Sequence, residues 1–187
     1  MEERVKFTEF AEEEELVAEL SLLGIRYLSR QSSYQAQQVR PPERLLADLV
    51  RQPHARVRAA VIAVLLAHPE YAGSVPAALQ RLAYSERLML QAAYMAAVLL
   101  QQEHTDLLRP MLGERWQWLP DLASEALGLP AEGAPRERLR VLDQELRRRT
   151  QTRVNWMGTY EQVVQKLLHD WENSVQTHDP NHHCHSS

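Results

Sequence analysis

The chain has 187 residues, of which 44% are hydrophobic and 25% charged, and its formal net charge is −4. Its longest nearly unbroken apolar run, residues 88–100, is shorter than the roughly 20 residues of a membrane span, so we expect no membrane partner. The acidic start excludes a secretory signal, and the single cysteine, Cys184, excludes an intrachain disulfide. Together these features predict one soluble, cytoplasmic domain.

The N-terminal part, residues 1–28, is predicted to be an acidic helix. Its first 24 residues hold eight glutamates against Arg4 and Lys6, and the rest of the chain is therefore weakly positive, mostly through arginine. Such a balance fits a protein that binds another protein at least as well as one that binds nucleic acid. Helix formers dominate and no alternating strand pattern stands out, so we predict an all-α fold.

A predicted linker, residues 29–42, leads to a predicted helical array over residues 43–127, in which one stretch of sequence is approximately repeated. Residues 56–70, "RVRAAVIAVLLAHPE", align without gaps with residues 89–103, "MLQAAYMAAVLLQQE", at a shift of 33 residues. The same shift carries Leu46 onto Leu79 and Leu49 onto Leu82, in a shorter helix that precedes each long one. A helix pair repeated at this period is typical of α-solenoids.

The segment "ARVRAAVIAVLLAHPE" resembles the second helix of a HEAT-like repeat, and the resemblance covers residues 43–104. It implies a short HEAT-like α-solenoid, whereas an irregular helical bundle with two similar hairpins is the alternative. In the second copy of the repeated stretch, Met89 and Gln91 stand at the positions of Arg56 and Arg58. These two arginines are therefore candidates for contact with a partner.

Residues 105–130 keep helical spacing and could form a degenerate third pair. Trp116 and Trp118 stand two apart, so on a helix one would face the core and the other the solvent. Trp156 is placed in a loop before the last helix. Exposed tryptophans beside arginines are common anchors at protein interfaces, which makes Trp116 and Trp118 candidate partner-binding residues.

A C-terminal helical pair is predicted over residues 136–175. Pro135 suits the first turn of one helix, and Thr159 with Gln162 matches a capping box at the start of the other. The second helix then carries a continuous apolar stripe: Tyr160, Val163, Val164, Leu167, Leu168, Trp171 and Val175. We expect this stripe to cap the array or to meet a partner.

The arginines of the C-terminal pair raise a second hypothesis. Arg147, Arg148 and Arg149 belong to a segment whose formal charge is positive, and with the arginines of the first array unit they could follow a phosphate backbone. The chain as a whole is acidic, however, and no aromatic residues interleave with the arginines. Solvated faces and ion pairs with residues 12–15 are therefore favoured.

Histidines form two groups. His68 and His104 end the two repeat helices, where an imidazole can bind terminal carbonyls. The tail, residues 176–187, is predicted to be disordered, and it gathers the candidate metal ligands His178, His182, His183, Cys184 and His185. Incidental affinity is favoured over a physiological metal site, and we expect no cofactor.

Catalytic signatures are missing from the sequence. It contains no phosphate-binding glycine loop, no GxSxG and no HExxH. We therefore predict a non-catalytic adaptor or scaffold that binds a protein partner or its own copy. The alternatives are a nucleic-acid binder that uses the arginine clusters and a metal-binding protein that uses the tail.

Overall fold

The computed structural model describes residues 2–28 and 35–176, and within these ranges it contains helices and no β-strand. The all-α prediction is confirmed. The α-helices are α1 (Glu2–Leu22), α2 (Pro42–Arg51), α3 (Ala55–Arg58), α4 (Ala60–Ala67), α5 (Val75–Gln80), α6 (Tyr84–Glu103), α7 (Thr105–Leu112), α8 (Ser124–Leu127), α9 (Pro135–Thr150) and α10 (Trp156–Gln176). Short 3-10 helices cover Pro69–Ser74 and Gly113–Arg115.

The first helix ends earlier than the predicted residue 28 because Gly24 adopts a left-handed conformation, with φ of 82°. The Ile25 N–H donates to the Leu20 carbonyl at 2.9 Å, and the Gly24 N–H donates to that of Ser21 at 3.1 Å. This pair of bonds is a Schellman motif. Leu20 and Ile25 are both fully buried, so the chain turns directly into the core.

Helices α2 to α6 form two neighbouring hairpins. Helix α2 packs against α5, and α4 packs against α6. Helices α3 and α4 are separated by Ala59 alone, and every residue of α4 is buried. A helix that is apolar on all sides needs neighbours around it, and here they are α2, α6 and α10.

The C-terminal helices α9 and α10 pack over α4 and α6, the second helices of the two hairpins. Helix α9 packs on α6, and α10 packs on α4, α6 and α9. Tyr160, Val163, Val164 and Leu167 of the predicted stripe are buried. One hydrophobic cluster continues from Leu16 of α1 to Leu167 of α10.

The predicted capping box at Thr159 is wrong, because α10 begins three residues earlier, at Trp156. Asn155 is the cap, and its Oδ1 accepts the Gly158 N–H at 3.1 Å. A Cβ on Gly158 would lie 2.9 Å from Asn155 Nδ2, so glycine makes room for the capping side chain. Asp143 of α9 accepts the Trp156 N–H at 3.0 Å and adds a second, tertiary cap.

Polar contacts join the N-terminal part to the rest of the molecule. Asp170 of α10 accepts the backbone N–H groups of Arg26 and Tyr27, at 2.8 and 2.6 Å. His68, at the end of α4, has its Nε2 2.9 Å from the Leu23 carbonyl oxygen. The histidine does lie at a helix end as predicted, but the carbonyl that it binds belongs to the end of α1, not to its own helix.

Candidate functional site

Two features of the described chain are candidates for a functional site, because one exposes a large apolar side chain and the other is a cavity whose lining residues include buried polar groups. One is the irregular segment 116–122, here called the tryptophan segment, and the other is a cavity beneath α10. They contain four of the tryptophans and arginines that the sequence singled out: Trp116, Trp118, Trp156 and Arg58.

The tryptophan segment is irregular and not helical, which corrects the prediction for this part of the array. The backbone is extended at Trp116, with φ of −62° and ψ of 126°. The rings of Trp116 and Trp118 lie in contact. Their ring centroids are 5.1 Å apart with an interplanar angle of 74°, an edge-to-face contact. Trp116 is half-buried and Trp118 is 56% exposed.

Gln101 of α6 holds the middle of the tryptophan segment. Its side chain is 1% exposed; its Nε2 donates to the Gln117 carbonyl and its Oε1 accepts the Leu119 N–H, both at 2.9 Å. A side-chain amide that pairs with both a carbonyl and an N–H replaces the backbone partner that a non-helical chain otherwise needs. The exposed Trp118 thus stands between two fixed backbone groups.

The far end of the segment is fixed as well. Tyr94 Oη donates to the Pro120 carbonyl at 2.8 Å, and Asp121 Oδ1 accepts the Ser124 N–H at 3.0 Å. Buried Arg138 of α9 donates to Ser124 Oγ at 2.8 Å. Burial, and then the nearby Asp121 carboxylate, raise the pKa of the Tyr94 phenol, which therefore keeps its proton at neutral pH. A segment held at this many points displays its side chains in one fixed geometry.

We expect Gln101→Leu to lower the free energy of unfolding by about 2–3 kcal/mol, because two backbone groups next to buried Leu119 lose their partner. Urea denaturation followed by circular dichroism measures the change. Gln102→Leu is the matched control, since Gln102 is the next residue of the same helix and is exposed. Equal effects of the two substitutions would contradict the anchoring role of Gln101.

The cavity lies where α3, α4, α6, α9 and α10 meet, and it has a volume of about 540 Å³ including its open mouth. Its walls are mostly apolar, from Val50, Ala55, Ala59, Ile62, Met89, Ala92, Ala93, Leu146 and Val154. The remaining lining residues are Arg58, Trp156, Thr159 and Tyr160. No carboxylate, thiol or imidazole is among these lining residues, so the cavity holds neither an evident base nor a strong nucleophile.

Trp156 was expected in a loop, but the structure makes it the first residue of α10 and places it in the cavity lining. Its indole Nε1 and the Tyr160 hydroxyl are buried and have no hydrogen-bond partner. Burial, with a further contribution from Asp143, raises the pKa of the Tyr160 phenol. The role of these two polar groups was missed at the sequence level, because Tyr160 was assigned to a purely apolar stripe.

The two arginines that distinguish the first hairpin have different positions. Arg56 is exposed and donates to the Tyr27 carbonyl at 2.5 Å. Arg58 is half-buried at the cavity, and its Nη1 donates to the carbonyls of Gln52 and Pro53 at 2.6 and 2.5 Å. Burial lowers the pKa of its guanidinium. In the described ranges neither arginine forms an ion pair with a carboxylate.

The C-terminal arginines are paired along their own helix. Arg147 lies 3.0 Å from Asp143, and Arg148 and Arg149 lie 2.9 and 3.2 Å from Glu145. The hydrogen bond from Arg148, together with that from Arg149, lowers the pKa of the Glu145 carboxyl and outweighs the opposing effect of burial. Of the predicted partners in residues 12–15, Glu15 lies 3.5 Å from Arg40 and Glu13 contacts His54. The pairing lowers the positive charge that these clusters present to a phosphate backbone.

The predicted metal ligands His178, His182, His183, Cys184 and His185 lie outside the described residues. Among the described side chains, those of residues 12–28 and 35–174, no group of three or more His, Cys, Asp or Glu is arranged to hold a metal ion.

No family model matches the chain, and comparison with curated proteins and with solved structures finds no match. In the part of the chain that the structure covers, no helix combines the length and apolarity needed to cross a bilayer. Function is therefore inferred from the contacts of the tryptophan segment and from the lining of the cavity.

Proposed function

We propose that this protein is a non-catalytic adaptor or scaffold and that it contacts a protein partner, or a second copy of itself, through the tryptophan segment. The observation that carries the proposal is the fixed display of Trp118. Two buried polar side chains of α6, Gln101 and Tyr94, hold an irregular segment in which Trp118 is 56% exposed. Leu122, at the end of the segment, is 46% exposed.

The physical reason is the cost of this arrangement. An exposed tryptophan gains nothing from leaving its ring in water, and a core that buries glutamine must satisfy every one of its polar atoms. The exposure of the ring is offset if Trp118 enters a pocket of a partner, because tryptophan is among the residues that contribute most to interfaces. A pre-ordered anchor also loses less conformational entropy on binding.

We further propose that residues 43–127 form a short HEAT-like array. Support comes from the packing of α2 on α5 and of α4 on α6, which is the order that the shift of 33 residues implies. Two pairs of residues equivalent under this shift are fully buried in both copies, Val61 with Tyr94 and Val64 with Ala97, whereas Ala60 is buried and Ala93 half-buried. Stacked hairpins of this kind present rigid surfaces to partners.

The test places a photoactivatable cross-linking amino acid at exposed Gln117, next to Trp118, in the full chain expressed in its native cells. The control position is exposed Gln80, at the end of α5. We expect a discrete adduct from position 117 and none of the same mass from position 80. An adduct of twice the chain mass would identify the partner as a second copy.

Trp118→Ala is expected to abolish that adduct, a loss of about 2 kcal/mol or more in binding, while the melting temperature stays within about 2 °C of the parent. Trp118→Phe should retain part of the yield, because the ring still fills an apolar pocket. Adduct formation that is the same with and without Trp118, or absent from position 117, would overturn the proposal.

A further inference from the structure

We propose that the cavity beneath α10 is a binding site for a monocarboxylate with an apolar chain. The carboxylate could belong to a free fatty acid or to the apolar C-terminal residue of a polypeptide, since both present the same chemistry. The inference is independent of the adaptor role, because the cavity and the tryptophan segment share no lining residue.

The size and walls of the cavity suit an apolar chain. Its volume of about 540 Å³ includes the open space at the mouth, so the end of a bound chain can extend out of the cavity. Ile62 and Met89 supply aliphatic and thioether surface, and Ala92 and Ala93 of α6 keep the space open because their side chains are short. An alkyl chain that enters gains by leaving water.

Arg58 supplies the charge that an anion would meet. Its guanidinium is partly desolvated, which lowers its pKa, and its Nη1 is held by the carbonyls of Gln52 and Pro53. Among the residues whose side chains the structure describes, 12–28 and 35–174, no carboxylate pairs with it. A fixed and partly buried cation without a counter-charge favours binding of an anion from outside, and the guanidinium fork matches a carboxylate in particular.

The buried polar atoms of α10 point to the same ligand class. Trp156 Nε1 can only donate a hydrogen bond, and the Tyr160 hydroxyl keeps its proton because burial and then Asp143 raise its pKa. Asp143 is itself occupied by the Trp156 N–H and by Arg147, each at 3.0 Å. Both residues line the same cavity as Arg58, and an anionic acceptor that reached the two donors and the guanidinium would satisfy all three groups.

The test is isothermal titration of the full-chain protein with decanoate below its micelle concentration, with decanol as the uncharged comparison. We expect saturable binding of one decanoate per chain, and Arg58→Gln should weaken it about tenfold or more. Arg56→Gln is the matched control: the exposed neighbouring arginine does not line the cavity, and its loss should leave the affinity unchanged. Equal affinity of Arg58→Gln and the parent, or of decanol and decanoate, would overturn the site.

A second variant guards against a folding effect of Arg58→Gln. Ala93→Phe fills the cavity from a half-buried position and leaves the cation in place, so it should also abolish binding.

A second titration identifies the source of the carboxylate by comparing the peptide N-acetyl-Gly-Gly-Leu with its C-terminal amide. Tighter binding of the free-acid peptide than of decanoate assigns the site to a polypeptide terminus, and the reverse order assigns it to a free acid. Failure of both decanoate and the peptide to bind would overturn the proposal. None of these binding results changes cross-linking from position 117, which tests the adaptor role separately.

Discussion

Val61→Asp is expected to unfold the protein or to leave it insoluble. Val61 is 0% exposed in α4, a helix enclosed by α2, α6 and α10. An unpaired carboxylate there costs several kcal/mol, which is a large share of the roughly 5–15 kcal/mol that stabilises a domain. We expect loss of the cooperative urea transition monitored by circular dichroism.

Val154→Asp is the matched control, since Val154 is an exposed valine and the same substitution there keeps the charge in water. Its free energy of unfolding should change by less than about 1 kcal/mol. A soluble Val61→Asp variant with a cooperative transition near that of the parent would show that α4 is not the centre of the core.

Glu19→Gln is expected to lower the free energy of unfolding by about 1–3 kcal/mol, because the half-buried guanidinium of Arg40 loses the charge of a buried partner while Asp48 remains. Arg40 Nη2 lies 2.7 Å from Glu19 Oε1, and its Nη1 lies 2.6 Å from Asp48 Oδ2. Burial disfavours the charged form of Arg40, but hydrogen bonds to Glu19 and Asp48 outweigh it and raise the pKa. The Arg40 backbone N–H also donates to Glu19, at 2.9 Å.

The double variant Glu19→Gln with Arg40→Met removes the guanidinium together with its contact to Asp48, so it should recover at most part of the loss. Arg148→Ala breaks an exposed ion pair with Glu145 and should cost at most about 1 kcal/mol. Urea denaturation of the four proteins separates these terms. A loss below 1 kcal/mol for Glu19→Gln alone would mean that this network does not hold α1 to α2.

The helical pair at the C-terminus illustrates what local pattern can predict. Pro135 begins α9 as expected, and Leu139, Leu142 and Leu146 are buried on one face. The start of α10 was misassigned because two local signals compete within five residues. Asn155 and Gly158 were interpreted as a loop, yet Asn155 caps the helix, and Asp143, distant in sequence, adds a bond that no local pattern contains.

The tryptophan segment shows the opposite case. Apolar residues at helical spacing predicted a third hairpin, whereas Gln101 and Tyr94 hold the chain in an irregular conformation from outside the segment. The sequence contained one indication of this contact, because Gln101 directly continues the apolar run of α6, and a glutamine in a buried helix needs hydrogen-bond partners. It identifies a polar residue that needs partners, but it does not say which backbone groups they are.

By itself, the sequence determined the helical class, the apolar faces of the long helices and the choice of Arg58, Trp116 and Trp118 as residues of interest. These follow from periodicity and from differences between two related segments, both of which act over a few residues. Only the tertiary structure decided that Trp118 is displayed on an irregular segment and that Arg58 meets Trp156 and Tyr160 at one cavity. Both arrangements join residues far apart in the chain, and their energies come from contacts between helices that no local pattern specifies.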